Sequence, residues 1–416
     1  MSAIAQLSPP IRRNLWFLFA SGLVFWSCMA SLLPILPLYI KDLNATAQEL
    51  GIIMGSFAVG LLLFRPHLGK MVDSGGRKLV LILGILVALT APIAYLFVTQ
   101  KFALIGVRVF HGVSIAAFAT AYSALVADIA PPKNRGEVIG TMSLTYPIGM
   151  AFGPLLGDWI LRSRGYANYS DCFWLASTLA AISFVLATQI VVPAKPKSTT
   201  QTQTTESSWK ILTRNSFRLP AFTLLVIGMA FGILSTFVPL YVRENQLHVT
   251  ASAFYSSAAI MGFATRSIAG KQSDRYGRGR FITMGMAAYG LSMALLWLIP
   301  GDRTFILAGL IEGIGGGMFL PVTMATITDR CSPELRGRIF ALSLSGFDLG
   351  IFTAGPVLGA IADSIGYRGL FGVATGIVAI GILLFITLSS KDLQHSLAFS
   401  LFGGPDVYAL PQKSLD

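Results

Sequence analysis

The stretch GKMVDSGGRK, residues 69–78, occurs a second time as GKQSDRYGRG, residues 270–279, which is 201 positions later. The same offset relates charged residues in and around the two copies: Arg65 and Arg266, Asp73 and Asp274, Arg77 and Arg278, and Asp128 and Asp329. Long apolar runs flank both copies. Self-similarity at this scale indicates a duplicated chain, in which two equivalent membrane bundles are joined in tandem.

The composition places most of the chain in lipid. The 416 residues are 54% hydrophobic and 12% charged, and the mean hydropathy is +0.69. Twelve apolar runs are long enough to cross about 30 Å of hydrocarbon as helices, each of which needs roughly 20 residues. The runs do not alternate polar with apolar residues, as the strands of a membrane barrel would. We therefore predict an all-α membrane protein with twelve transmembrane helices in two six-helix bundles.

The apolar runs and the polar stretch between them predict four segments. The N-terminal bundle is residues 1–192, with crossings at 14–38, 48–68, 79–98, 102–126, 138–161 and 172–192. The polar segment 193–218, rich in Thr and Lys, is predicted to be a cytoplasmic linker. The C-terminal bundle is residues 219–390, with crossings at 219–242, 251–270, 281–299, 304–326, 339–362 and 369–389. Residues 391–416 form a cytoplasmic tail, whose apolar patch SLAFSLFGG, residues 396–404, we expect to be disordered, with binding to the membrane surface as the alternative.

The formal net charge of +12 is explained by topology. When the N-terminus is placed inside, most of the 31 Lys and Arg residues fall in cytoplasmic segments, as the positive-inside rule requires. We predict a multi-pass protein of the cell (inner) membrane with both termini in the cytoplasm. No nucleic-acid partner is expected, because the only sizeable polar segments are the linker and the tail. The three cysteines are too scattered to form a disulfide framework.

Residues 14–390 resemble the major facilitator superfamily of secondary transporters. The resemblance rests on twelve helices in two sixes, on the polar central linker, and on the doubled turn between crossings 2 and 3 and between crossings 8 and 9. It implies two bundles of the same orientation that rock about a central cavity holding a small-molecule substrate.

The doubled turn is the most specific motif. Its glycines permit tight curvature between two antiparallel helices, and its acid and arginine can form an ion pair. The resemblance implies that the turn is a latch that steadies one state of the transport cycle, with the acid facing the positive end of a neighbouring helix. The alternative is a basic loop that only sets topology. The predicted conformational latch comprises Gly69, Asp73, Gly76, Arg77, Gly270, Asp274, Gly277 and Arg278.

Crossing 4 contains Arg108 within its apolar run, at a cost of roughly 2.5 to 3.5 kcal/mol on insertion scales. Arg108 matches an arginine motif of the superfamily, which implies a role in proton coupling. The alternative is a side chain that extends to the membrane surface. His111, at a position where the superfamily usually has glutamine, could titrate near neutrality or could be a packing residue. Arg65 and Arg266, near the cytoplasmic ends of their crossings, are interpreted as membrane anchors.

Crossing 5 contains small residues at a spacing that resembles the antiporter motif of exporters in the superfamily: Gly140, Gly149, Gly153, Pro154 and Gly157. Glycines spaced by one helical turn allow close helix packing, and Pro154 is predicted to bend the helix where it lines the cavity. Asp158 departs from the motif, since a glycine is usual there. The alternative is generic packing of small residues.

The acids within crossings are the best candidates for chemistry, because a buried carboxylate is costly and tends to bind a proton. Glu312 in crossing 10 is the repeat equivalent of His111, and Asp348 lies near the middle of crossing 11. We predict proton coupling or substrate contact for both, with a structural ion pair as the alternative. Aromatic residues such as Phe25, Trp26 and Phe237 could stack on an organic substrate or could face lipid.

These patterns predict a secondary active transporter that exports small organic or amphipathic compounds in exchange for protons, by alternating access. Two alternatives remain: a proton symporter or facilitator for uptake of a polar metabolite, and a membrane sensor that does not transport. The polar segments contain no phosphate-binding glycine loop, metal-ligand cluster or nucleophile motif, so no enzyme, cofactor or metal site is expected. The expected partners are a small-molecule substrate, protons and the lipid bilayer, and the expected form is a monomer.

Overall fold

Helices make up nearly all of the computed structural model, which describes residues 7–131, 134–163, 165, 168–191, 213–332 and 335–410 and contains no strand in these ranges. The helices of the N-terminal half are α1 (Pro9–Ser31), α2 (Leu36–Asp42), α3 (Ala47–Met71), α4 (Arg77–Phe97), α5 (Lys101–Ile129), α6 (Arg135–Met142), α7 (Thr145–Ser163) and α8 (Tyr169–Thr188). Those of the C-terminal half are α9 (Asn215–Glu244), α10 (Ala251–Tyr276), α11 (Arg278–Leu298), α12 (Asp302–Asp329), α13 (Arg336–Leu388) and α14 (Leu393–Phe402). The prediction of an all-α fold is confirmed. Most of the polar segment 193–218 lies outside the described residues.

Ten of the twelve predicted crossings correspond to a described helix or pair of helices, and crossings 11 and 12 both fall in α13, whose helical backbone is interrupted at Gly366, where φ is 71°. Eight stretches of the described chain are long and apolar enough to cross a membrane, and two of these, Ala47–Phe97 and Arg338–Leu388, have 51 residues each. At 1.5 Å per residue, each of the two is long enough for about two crossings of the hydrocarbon. Crossing 5 (α6 and α7) and crossing 8 (α10) fall outside the eight stretches. Crossings 5 and 8 pack against each other, as described below. Part of the surface of each therefore contacts protein, and that part need not be apolar enough for lipid.

The two copies of the repeated turn differ by one residue in where the chain reverses. In the first copy Gly75 has the positive φ, 100°, whereas in the second copy Gly277 has it, 95°. A positive φ is readily adopted only by glycine, and the second copy has Tyr276 where the first has Gly75. The positive φ of the first turn therefore falls on Gly75, which is not among the predicted latch residues, while a Cβ on Gly76 would lie 3.0 Å from the Met71 carbonyl oxygen.

The two halves meet at the end of the bundle opposite the repeated turns, which we call the closed end. Helix α3 packs against α13 so closely that a Cβ on Gly51 would overlap the backbone of Gly355. Helix α7 packs against α10, and Ser256 Oγ donates a 2.6 Å hydrogen bond to the Ala151 carbonyl. An ion pair of 2.5 Å joins Asp42 to Arg243, which are equivalent positions of the two repeats. Backbone contact and an ion pair together seal this end.

At the other end, which carries the repeated turns and which we call the turn end, the helices separate. A Cβ built on Gly69, Gly140 or Gly270 would meet no heavy atom within 4 Å. A cleft of about 220 Å³ lies between the α6–α7 segment and α10, with Leu144 on one side and Ser267 on the other. The structure is therefore open at the turn end and closed at the other.

The C-terminal tail contains a helix, α14, that packs against α11 and α13. Asp392 caps this helix by accepting a 2.9 Å bond from the His395 amide, and that bond, with a second one from the His395 ring, holds the pKa of Asp392 below its ordinary value. Phe399 is 2% exposed, and its ring centroid lies 6.2 Å from that of Phe385. The prediction of a disordered tail is wrong for these residues. The error arose because an apolar patch of nine residues gives no indication of which surface will bury it.

After α14, the tail reaches the second repeated turn. The Arg330 side chain lies beside the rings of Phe399 and Tyr408 and forms a 2.7 Å ion pair with Asp406. The Leu410 amide donates a 2.8 Å bond to the carbonyl of Asp329, whose side chain pairs with an arginine of that turn. The tail therefore braces the turn end of the C-terminal half.

We expect Phe399→Ala to destabilise the protein by about 3 kcal/mol, because the substitution removes a fully buried ring and leaves a cavity under α14. Phe402→Ala is the matched control, since Phe402 lies in the same helix and is 80% exposed. Its effect should stay within about 0.5 kcal/mol. Thermal unfolding of the purified variants measures both effects. Equal melting temperatures for the two variants would show that α14 does not contribute to the fold.

Candidate functional site

A cavity of about 510 Å³ lies between the two halves. This volume is in the range of pockets that bind small organic molecules. Aromatic rings from both halves form much of its wall: Trp26, Phe57, Tyr146, Phe231, Phe254, Tyr255, Phe263, Tyr289, Phe319 and Phe347. The surface is therefore largely apolar. Among the described residues no group of three or more His, Cys, Asp or Glu side chains is placed to hold a metal ion.

Five charged residues line this cavity: Arg65, Arg108, Arg266, Glu312 and Asp348. Two of them pair across the halves, since Arg65 Nη1 lies 2.5 Å from Asp348 Oδ2. Asp348 is 5% exposed, so its carboxylate depends on this arginine for compensation. The interpretation of Arg65 as a membrane anchor is wrong, because its partner comes from α13, 283 residues away in the chain.

Glu312 differs from Asp348 in how its charge is compensated. It is 8% exposed, and no ion pair involves it within the part of the chain that the structure describes. Its carboxylate lies next to the hydroxyl of Tyr289, which reaches it from α11. A carboxyl group in an apolar wall without a neighbouring cation favours its protonated form. The position therefore suits a group that binds and releases a proton.

His111 and Arg108 lie one turn apart on α5, in the opposite half of the protein. Arg108 Nη2 donates a 3.2 Å bond to the Met54 carbonyl, and its guanidinium carbon lies 4.6 Å from the centroid of the Phe57 ring. His111 Nδ1 lies 3.1 Å from the Tyr95 hydroxyl. Both residues are buried, at 7% and 1% exposure, so Arg108 does not extend to the membrane surface.

The predicted latch residues lie at the turn end, away from this cavity. In the first copy Arg77 forms an ion pair with Asp128. In the second copy Arg278 pairs with both Asp274, at 3.1 Å, and Asp329, at 2.7 Å. Each ion pair joins residues of one half. The arginines of the turns thus bind the repeat-related acids at the ends of α5 and α12.

The predicted antiporter-like glycines pack against the first helix of the same half. A Cβ on Gly149, Gly153 or Gly157 would contact α1 between Trp26 and Ser31. Pro154 lies within α7 and is buried, and Gly140 lies apart from the others in α6. The interruption of this crossing falls between α6 and α7.

The break is one turn before Pro147 rather than at Pro154. Proline cannot donate a hydrogen bond to the carbonyl four residues earlier, and its ring crowds that carbonyl, which here belongs to Ser143. Ser143 and Leu144 are the two residues outside helix. Pro147 also lines the cavity. The prediction that Pro154 marks the bend at the cavity is therefore corrected to Pro147.

The other sequence candidates divide between the cavity and the protein interior. Trp26 lines the cavity. Phe25 and Phe237 are fully buried, and Phe25 stacks on Phe118 with ring centroids 3.7 Å apart. Asp158 lies at the closed end, where it accepts a 3.3 Å bond from Ser252 of the other half.

Three cavity residues were missed or misjudged from the sequence, Arg65, Arg266 and Tyr289. The buried Tyr95, whose hydroxyl contacts His111, was also missed. One signal was available for two of them, because Arg65 and Arg266 are related by the 201-residue offset. A charge retained at equivalent positions of both repeats is less typical of an anchor than of a shared site. The tyrosines gave no such signal, since a tyrosine in an apolar run is common at membrane interfaces.

A model of the Major Facilitator Superfamily matches residues 17–302 and 264–402. The Multidrug resistance protein MdtG of Proteus mirabilis is 27% identical over 388 residues, covering 88% of this chain and 93% of that protein. The protein of the same name from Escherichia coli O81 is 28% identical over 396 residues, with coverage of 89% and 93%.

Solved transporter structures share the fold. A mutant of the nucleoside transporter NupG has a TM-score of 0.74 at 14% identity, covering 90% of this chain and 99% of that chain. A bacterial homolog to the human lysosomal transporter Spinster, in an inward-facing and unoccupied conformation, has a TM-score of 0.70 at 14% identity, with coverage of 95% and 97%.

Proposed function

The chain belongs to the major facilitator superfamily, and on this premise we propose that it is a secondary active transporter that exports small organic or amphipathic compounds in exchange for protons. The direction of transport and the substrate class are supported by the multidrug resistance proteins that match nearly its whole length. The apolar, ring-lined cavity of about 510 Å³ is suited to such compounds.

The proposal depends chiefly on Glu312 as the group that binds and releases the proton. It lines the cavity, it is buried, and among the described residues no cation compensates its charge. An acid in this setting changes protonation when its access changes from one side of the membrane to the other. Competition between a proton and a donor or cationic group of the substrate for the same carboxylate would couple export to proton entry.

We propose that the described state receives substrate from the cytoplasm. The cavity is sealed at the closed end by contact of α3 with α13 and of α7 with α10. In the return half of the cycle these contacts open, and the glycines that face open space at the turn end, Gly69, Gly140 and Gly270, come into contact. The repeated turns then act as the latch of that second state. We infer this contact because glycines leave helix faces without side chains, and another helix can pack closely against such a face.

Transport in proteoliposomes tests the proposal. The purified protein would be reconstituted into vesicles, with a panel of amphipathic aromatic compounds chosen by their thermal stabilisation of the protein. We expect at least one of these compounds to accumulate against its gradient when a pH gradient is imposed. Flux of every stabilising compound that is indifferent to the pH gradient would contradict proton coupling.

A further inference from the structure

We propose that Arg108 and His111 form a binding subsite for a hydrogen-bond acceptor of the substrate, opposite the acid of the other half. This inference rests on the proposed function and specifies its substrate class. The subsite suits carbonyl and amide oxygens attached to aromatic amphiphiles whose other end carries an amine.

Two unused donors motivate the proposal. Arg108 Nε and His111 Nε2 are both buried and have no hydrogen-bond partner among the described residues. A buried donor without a hydrogen-bond partner raises the free energy of the unbound protein. A ligand acceptor that bonds to this donor removes the penalty. Such a bond therefore contributes more to affinity than one that only replaces a bond to water. Both residues line the cavity.

Tyr95 determines which ring nitrogen of His111 carries the hydrogen. The guanidinium of Arg108 lies beside the Tyr95 hydroxyl and faces its oxygen, so the hydroxyl hydrogen points to its other neighbour, His111 Nδ1, 3.1 Å away. A neutral imidazole that accepts at Nδ1 carries its hydrogen at Nε2. The free Nε2 of His111 is therefore a donor, of the same polarity as Arg108 Nε.

The Phe57 ring lies against both Arg108 and His111 in the wall of the cavity. Its ring lies 4.6 Å from the Arg108 guanidinium carbon and 5.5 Å, edge to face, from the His111 ring. Phe57 itself lines the cavity and is partly exposed. Rotation of this one side chain would expose both donors, and an aromatic ring of the substrate could replace the contacts that the Phe57 ring loses.

The duplication gives the cavity two polar poles of opposite character. His111 and Glu312 occupy equivalent positions of the two repeats, on α5 and α12. Each has a tyrosine partner from the preceding crossing, Tyr95 on α4 and Tyr289 on α11. One pole donates hydrogen bonds and the other accepts them. A substrate with an amine at one end and a carbonyl at the other satisfies both poles.

Binding of two matched probes tests the subsite. The first is 2-naphthylmethylamine with a carboxamide at ring position 6, and the second has a methyl group in place of the carboxamide. Isothermal titration of the protein in lipid nanodiscs would give the two affinities. We expect the wild type to bind the carboxamide about tenfold more tightly, because only this probe satisfies the buried donors.

His111→Leu should weaken binding of the carboxamide about tenfold and leave the methyl probe unchanged. His111→Gln should restore most of the preference, since glutamine supplies an N–H donor. Tyr95→Phe retains the ring and removes the hydroxyl that orients His111, so it should reduce the preference while keeping the fold. Glu312→Gln should weaken both probes equally, because it acts on their shared amine.

The outcomes separate the subsite from the proposed function. Equal binding of the two probes by the wild type, or their equal weakening by His111→Leu, would overturn the acceptor subsite whatever Glu312→Gln does. An unchanged affinity of both probes in Glu312→Gln would instead contradict the assignment of the acid, and would leave a His111-dependent preference standing.

Discussion

Replacing Glu312 by glutamine is expected to abolish substrate accumulation driven by a pH gradient. A gradient of about two pH units stores about 2.7 kcal/mol per proton, which supports a concentration ratio of about 100 when one proton exchanges for one substrate molecule. Glutamine keeps the size of the side chain and one acceptor oxygen but binds no proton. We therefore expect the ratio to fall from about 100 to about 1, while exchange of substrate without a gradient continues.

The measurement is uptake into sealed proteoliposomes with the membrane potential clamped. Glu244→Gln is the matched control, because Glu244 is an exposed glutamate at the closed end whose bond from the Tyr367 amide an amide oxygen can retain. This control should accumulate substrate as the wild type does. Gradient-driven accumulation that survives in Glu312→Gln would show that the proton binds elsewhere.

Gly51→Val is expected to prevent closure at the closed end and to shift the protein out of the state that is open at the turn end. A side chain at this position would overlap the Gly355 backbone, which cannot move aside as a flexible side chain can. Overpacking of this kind costs about 1 to 3 kcal/mol, which changes the ratio of two states about 5- to 150-fold. Transport should fall by a similar factor, because every cycle passes through this contact.

Labelling of a cysteine introduced at Ser252 reports the change of state. Ser252 lies at the closed end and is 1% exposed, and the three native cysteines are also buried. We expect maleimide labelling at this position to rise at least about fivefold in Gly51→Val. Gly106→Val is the control, since a Cβ at Gly106 meets no atom within 4 Å. Equal labelling in both variants would show that this contact does not govern the state.

Two polar interactions show how far the sequence could lead to the site. Glu312 was identified because placing a carboxylate within a membrane-spanning apolar run costs free energy whichever way the side chain points. The residue can therefore be recognised without any knowledge of helix packing. Its partner Tyr289 was not identified, since the contact depends on the rotation of α11 about its axis. The Arg65–Asp348 pair was missed for the same reason, because it joins residues 283 positions apart.

The sequence by itself determined the helices, their duplication and the in-span charges, because in lipid each backbone must satisfy its hydrogen bonds within its own helix and so depends only on local residues. The tertiary structure decided which of these charges meet, where the halves touch and where the tail docks. Those contacts depend on how helices far apart in the chain rotate and approach, as Gly51 and Gly355 do. Small differences in packing, which no local pattern encodes, fix that arrangement.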